Sequence, residues 1–186
     1  MEPEIDEGPE PIVPGVARAL SPLVRRILAL NPSPLTSYGT NTYLIGIDEI
    51  VVIDPGPANS THLDSVIGCG GDRIRWVTST CSDPTHAGAI DELIERTGAE
   101  RLTPKNGDSI LGTEFRITIH DMDGPVSEHK SFLLEEERTL ICGKLISDDK
   151  SIPSSQVPLT SPPIIRAFKR YKNEAKKIRS CLWTCH

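Results

Sequence analysis

The sequence predicts an α/β domain built in layers. Strand-like and helix-like stretches alternate through a central block, roughly residues 23–146, and interleaved strands and helices pack as layers. Aromatics are only 4% of the chain, so the expected core is aliphatic. Of 16 prolines, seven lie at or before Pro34 and four between Pro153 and Pro163, where they mark connecting segments. The organisation that follows is an acidic, Pro-rich lead (1–22), one domain (23–146), a Pro/Ser-rich linker (147–161) and a tail (162–186). A chain of 186 residues is long enough for one core of ordinary size.

Taken in order, Val24 to Leu30 reads as a strand. The β-branched runs Asn41 to Gly46 and Glu49 to Asp54 flank the short connector Ile47-Asp48 and read as a hairpin. Asp54-Pro55-Gly56-Pro57 turns the chain. Ser60 to Ile67 opens with capping residues and reads as a short helix stopped at Gly68. Ile74 to Thr80 is a strand, and the polar loop Cys81 to His86 follows it. From Ala87 to Thr97, the residues Ala89, Ile90, Leu93 and Ile94 form a helical stripe that ends at Gly98. Phe115 to Ile119 alternates like a half-buried strand. Phe132 to Leu134 and Thr139 to Cys142 flank the charged turn Glu135 to Arg138 and make a second hairpin.

The tail is expected to be helical. Pro162 and Pro163 suit a first turn, with Thr160 or Ser161 as cap. Ile164, Phe168, Tyr171, Ala175, Ile178 and Leu182 form one apolar face. Seven bases against Glu174 leave the rest of that stretch at +6, whereas the first ten residues hold five acids and no base.

Composition excludes several classes. Twenty basic and 26 acidic residues leave a net charge of −6, which gives no general case for binding nucleic acid or acidic lipid. The five cysteines are odd in number and mostly isolated, so a reducing compartment without a disulfide framework is expected. The acidic N-terminus lacks the features of a signal or transit peptide, and no apolar run approaches the ~20 residues of a membrane span. The expected location is cytoplasmic. There is no P-loop, no G-x-G-x-x-G and no nucleophile elbow.

Three stretches carry a likeness to a known family. The first is Asn31-Pro-Ser-Pro-Leu-Thr-Ser-Tyr-Gly-Thr-Asn-Thr-Tyr-Leu-Ile-Gly46, running into Val51-Val-Ile-Asp-Pro-Gly-Pro57. The second is Trp76-Val-Thr-Ser-Thr-Cys-Ser-Asp-Pro-Thr-His-Ala-Gly88 with Arg96-Thr-Gly-Ala-Glu100. The third is Phe132-Leu-Leu-Glu-Glu-Glu-Arg-Thr-Leu-Ile-Cys-Gly143. Together they resemble the metallo-β-lactamase fold superfamily, in its glyoxalase-II-like hydrolase branch. The resemblance implies an αββα sandwich, here shortened and followed by the C-terminal amphipathic helix. It also implies two metal ions held by an HxHxDH loop, by a His in a PGH turn, by an Asp in a GD pair and by a final His. Such metals would lower the pKa of a bound water toward 7 and polarise a substrate oxygen.

The sequence departs from that ligand pattern at nearly every place. Matched onto the motif, the first two His positions are Ser79 and Cys81. Asp83 matches the motif Asp, and Pro84 takes the third His position. Pro125 takes the metal His position of the later turn, where His129 matches a His that is not the principal ligand. The GD pair becomes Gly143-Lys144. Between an ammonium and a dication 4 Å apart, repulsion is on the order of 8 kcal/mol at an effective dielectric near 20. Structural zinc binding is worth roughly 10–16 kcal/mol, so a cation at position 144 cancels much of it.

The expectation is therefore a catalytically silent pseudoenzyme that needs no cofactor. An alternative keeps one Zn ion on Cys81, Asp83, His86 and His129, cleaving an ester or thioester; His120 is a further candidate for the fourth ligand. Against it stands a plain surface loop in which Asp83 caps the next helix. His62 is expected at the surface. Cys181-Leu-Trp-Thr-Cys185-His186 lacks the spacing of common zinc sites. The helix over 164–181 is expected to pack on the domain, with an RNA or protein partner as the other readings.

Overall fold

The computed structural model describes residues 12–34, 36, 38–121 and 128–145. The helix expected over 162–186, the linker expected over 147–161 and Pro125 lie outside the described residues.

The described chain forms two sheets face to face. Strands β1 (Arg18–Ala19), β2 (Val24–Leu28), β3 (Asn41–Ile45), β4 (Ile50–Ile53), β5 (Ile74–Thr78) and β6 (Glu100–Arg101) make a six-stranded sheet in that order. Strands β7 (Ser109–Leu111), β8 (Arg116–Asp121), β9 (Lys130–Leu134) and β10 (Thr139–Ile141) make a four-stranded sheet ordered β10-β9-β8-β7. Both expected hairpins are present: Tyr43 pairs with Ile53 and Leu134 with Thr139, each antiparallel. The sheet also takes in β1, from the stretch that the composition assigns to the lead.

The core is aliphatic, as the composition implies. Ile45, Val51 and Ile53 from the first sheet meet Ile117, Ile119, Phe132 and Leu134 from the second. A second cluster lies on the far side of the first sheet, where Leu44, Val52 and Val77 receive Leu63, Val66, Leu93 and Ile90. Burying each of these side chains contributes roughly 1.5–3 kcal/mol. The latter four come from helices α1 (Ser60–Gly70) and α3 (Ile90–Thr97), so both helices sit on the first sheet.

Three expectations are corrected. Helix α1 does not stop at Gly68; it runs to Gly70 and ends at Gly71, which takes φ of 61°. The expected helix from Ala87 is broken in two, α2 (Pro84–Ala87) and α3. The cause is a backbone contact: the His86 carbonyl accepts the Gly56 N–H and the Ala89 N–H goes to the Gly56 carbonyl, at 3.0 and 3.1 Å. Finally, His62 is buried, because its helix face meets Thr42 of β3.

The turns that matter lie at one end. Strands β4 and β5 are parallel, joined by the crossover helix α1, so their carboxyl ends lie side by side. In open α/β sheets ligands gather at such carboxyl ends. No helix among the described residues is long and apolar enough to cross a membrane.

Candidate functional site

Residues leaving β4 and β5 begin the site. The chain leaves β4 at Asp54, which takes a positive φ of 55°. Its backbone N–H donates to the Thr78 carbonyl of β5. The Asp54 carboxylate is buried and fully engaged. Oδ1 accepts the Thr80 N–H at 2.7 Å, and Oδ2 accepts the Thr80 hydroxyl at 2.8 Å. His86 Nδ1 lies 2.9 Å from Oδ2. The imidazole thus turns its Nδ1 proton to Asp54, leaving its buried Nε2 with no partner.

The second sheet supplies the facing wall. Lys130 at the start of β9 donates its N–H to the Thr80 carbonyl at 2.7 Å, tying the two sheets together here. His129 is buried just before it, and its Nε2 accepts the Lys144 N–H at 3.2 Å. A backbone N–H can only donate, so the His129 proton sits on Nδ1, buried and without a partner. Burial holds His129 down to about 4, with repulsion from neighbouring cations acting the same way and Asp54 opposing. The close approach requires Gly143: a Cβ there would lie 2.4 Å from Thr80 Oγ1 and 2.7 Å from His129 Nε2.

Asp83 and Lys144 close the arrangement. Asp83 caps α2, accepting the Thr85 N–H at 2.8 Å and the Thr85 hydroxyl at 2.6 Å on Oδ1. Its Oδ2 receives Lys144 Nζ at 2.6 Å. Burial works against the carboxylate, but Lys144 and Thr85 outweigh it and hold the group well below the usual carboxylate range. The pair is half-buried, with side-chain exposures of 18% for Lys144 and 27% for Asp83. Cys81 is buried between these groups, and burial pushes its thiol up, keeping it protonated. A cleft of about 740 Å³ opens beside them, lined by Ser79, Cys81, Ser82, Asn106 and His129 among others.

The structure brings some expected residues together and separates others. Asp83 and Lys144, matched to the two motif acids, are in contact. Ser79, Cys81 and His129 line one cleft. His120 is elsewhere, on β8 opposite Ser131. The loop is not a plain surface loop, since Cys81 and His86 are buried, although Asp83 does cap the helix. Among the described residues, no three His, Cys, Asp or Glu side chains are grouped so that they could hold a metal ion.

Asp54 and Thr80 were not singled out by the sequence reading. The signal for Asp54 was an acid ending the wholly apolar run Ile50 to Ile53, where a carboxylate is buried and so needs donors.

Fold and site together define the class, and the comparisons agree. No family model matches the chain. It is similar to a beta-lactamase-like protein 2 homolog of Caenorhabditis elegans, 30% identical over 150 residues, covering 68% of this chain and 51% of that protein. It is also similar to an atrochrysone carboxyl ACP thioesterase of Aspergillus chevalieri, 30% identical over 149 residues, covering 72% of this chain and 48% of that one. A solved metallo-β-lactamase of Cronobacter sakazakii superposes with a TM-score of 0.61 at 14% identity, covering 87% of this chain and 75% of that one. The chain belongs to the metallo-β-lactamase fold superfamily. It spans about half the length of the curated relatives it matches.

Proposed function

We propose that this is a metallo-β-lactamase-fold protein that works without a metal ion and has no hydrolytic activity, acting instead through binding. The observation that carries this is the contact of Lys144 Nζ with Asp83 Oδ2 at 2.6 Å. A carboxylate that would serve a cation is already paired with one belonging to the chain. A dication brought to the same carboxylate meets the ammonium at a cost of order 8 kcal/mol. Ser79 and Pro84 offer no strong donor in compensation. The residues present do not fit a dinuclear centre. The odd number of mostly isolated cysteines supports a reducing compartment.

A second reading keeps a single zinc ion and ester or thioester cleavage. It draws on the two buried ring nitrogens without partners, His86 Nε2 and His129 Nδ1. It also draws on the name of the Aspergillus chevalieri relative, a thioesterase.

Elemental analysis decides between them, after purification and again after incubation with zinc and dialysis. The metal-free reading expects less than about a tenth of an equivalent per chain. Close to one equivalent, lost in Cys81→Ala or His86→Ala, overturns it in favour of the hydrolase.

A further inference from the structure

Seven large apolar side chains are exposed among the described residues, and five of them gather at one place: Ile12, Val13, Val16, Leu30 and Tyr38. The chain path brings them together. Residues 12–17 run beside β2, where the Gly15 N–H donates to the Leu28 carbonyl at 2.8 Å. Leu30 and Pro32 follow β2, and Tyr38 precedes β3. These stretches line a hollow of about 450 Å³, walled by Ile12, Pro14, Leu28, Leu30, Pro32 and Tyr38. A second hollow of about 190 Å³ adjoins it, sharing Ile12 and Leu28 and reaching Val13 and Val16.

We propose that this patch is the interface of a symmetric dimer, its occupant a second copy of the chain. The amount of surface fits. The five side chains expose on the order of 500 Å², and a contiguous apolar patch of that size marks an interaction site where scattered single residues do not. A standard interface takes roughly 800 Å² from each partner, about 60% of it apolar, which is the share this patch supplies. The shape fits as well. A two-fold contact must be complementary to itself, so one surface needs both a knob and a hollow. Leu30 is 68% exposed and stands at the rim of the larger hollow that it helps to line. Charge also agrees. A patch that meets its own copy brings like charges together, and no charged residue lines the larger hollow. Arg18 and Arg26 line the smaller one, so the two-fold axis belongs at the larger. The interface leaves the cleft open, because the patch borders β1 and β2 while the cleft lies by β5, towards the other edge of the sheet. The proposal therefore holds whatever the cleft binds.

Sedimentation equilibrium of the full-length protein, from about 1 to 100 µM, reads the assembly directly. The unaltered chain is expected to approach twice the mass of one chain at the upper end. Leu30→Asp is expected to weaken association by about thirtyfold or more, the loss that marks an apolar anchor at the centre of an interface. Val16→Asp, also at an exposed position, repeats the test if circular dichroism shows Leu30→Asp unfolded. Leu111→Asp, 58% exposed on β7 and away from the patch, leaves the dimer intact. A chain that stays a monomer at 100 µM overturns the proposal. So does a dimer that survives both Leu30→Asp and Val16→Asp, or one that Leu111→Asp dissolves, since either places the interface elsewhere. So does a monomer that binds phosphatidylcholine vesicles and loses them in Leu30→Asp, which gives the patch to a lipid surface.

Discussion

The two sides of the site hold their charges differently. On the first-sheet side Asp54 is fully buried, and Thr80 and His86 take up both of its oxygens. Where the loop after β5 meets the end of the second sheet, the Asp83–Lys144 pair is half-buried. The difference in burial sets what each can lose. A buried carboxylate cannot lose its donors, nor the donors their acceptor, without a large penalty. A half-exposed pair has water as a substitute partner, so its members exchange at small cost. The first side is therefore framework, and the second is where a chain can change its chemistry and still fold.

Acid acts first on the buried histidines, and this is the largest effect expected. Burial lowers both His62 and His129 to about 4, against 6.5 in the unfolded chain. Between these values the unfolded state binds more protons, so stability falls as pH falls. The stabilisation is complete above pH 6.5 and is lost toward pH 4. A shift of that size is worth about 3 kcal/mol per histidine. Urea denaturation at a series of pH values checks this. A stability flat from pH 7 to 4 contradicts the assigned burial, and His62→Gln should remove about half of the slope.

Asp54→Ala comes next. It strands the Thr80 N–H, the Thr80 hydroxyl and His86 Nδ1 in a buried place. The expected loss is about 3–5 kcal/mol, with much of the protein unfolded at 37 °C. Asp54→Asn keeps the shape and one acceptor oxygen, so it should lose less. Thermal unfolding of the two variants separates lost shape from lost charge. Equal stability for Asp54→Ala and the unaltered chain removes the framework role.

Much of this architecture was legible in the sequence. The hairpins were readable because β-branched runs faced each other across short connectors, and periodicity of that kind is a local property. Lys144 was readable too, because a cation stood where a motif acid was expected. Asp54, Thr80 and His62 were not. Their partners are distant in the chain, Thr80 26 residues from Asp54 and Thr42 20 residues from His62. The parallel pairing of β4 with β5 creates the first contact, and α1 packing on β3 creates the second; neither leaves a spacing pattern. The break between α2 and α3 was hidden for the same reason, since a backbone contact with Gly56 causes it and no residue type announces it.

Lys144→Met tests the open side and should have the smallest effect, about 1 kcal/mol at pH 7. Its pH dependence is more informative than its size. Lys144 and Thr85 hold Asp83 below its unfolded value of 3.8, so the stability they contribute is present above that value. It is lost as the pH falls below it, because the unfolded chain takes up the proton first. The gap between the unaltered chain and Lys144→Met should therefore be constant from pH 7 to 5 and narrow below pH 4. This lies under the window in which His62 and His129 act, so one acid titration reads the buried histidines and the half-buried pair separately. Asp83→Asn should show a similar gap, and the double variant Asp83→Asn/Lys144→Met should lose less than the sum of the two. Additive losses, or a gap that closes between pH 6 and 5, would mean that Lys144 acts on something other than the Asp83 carboxylate.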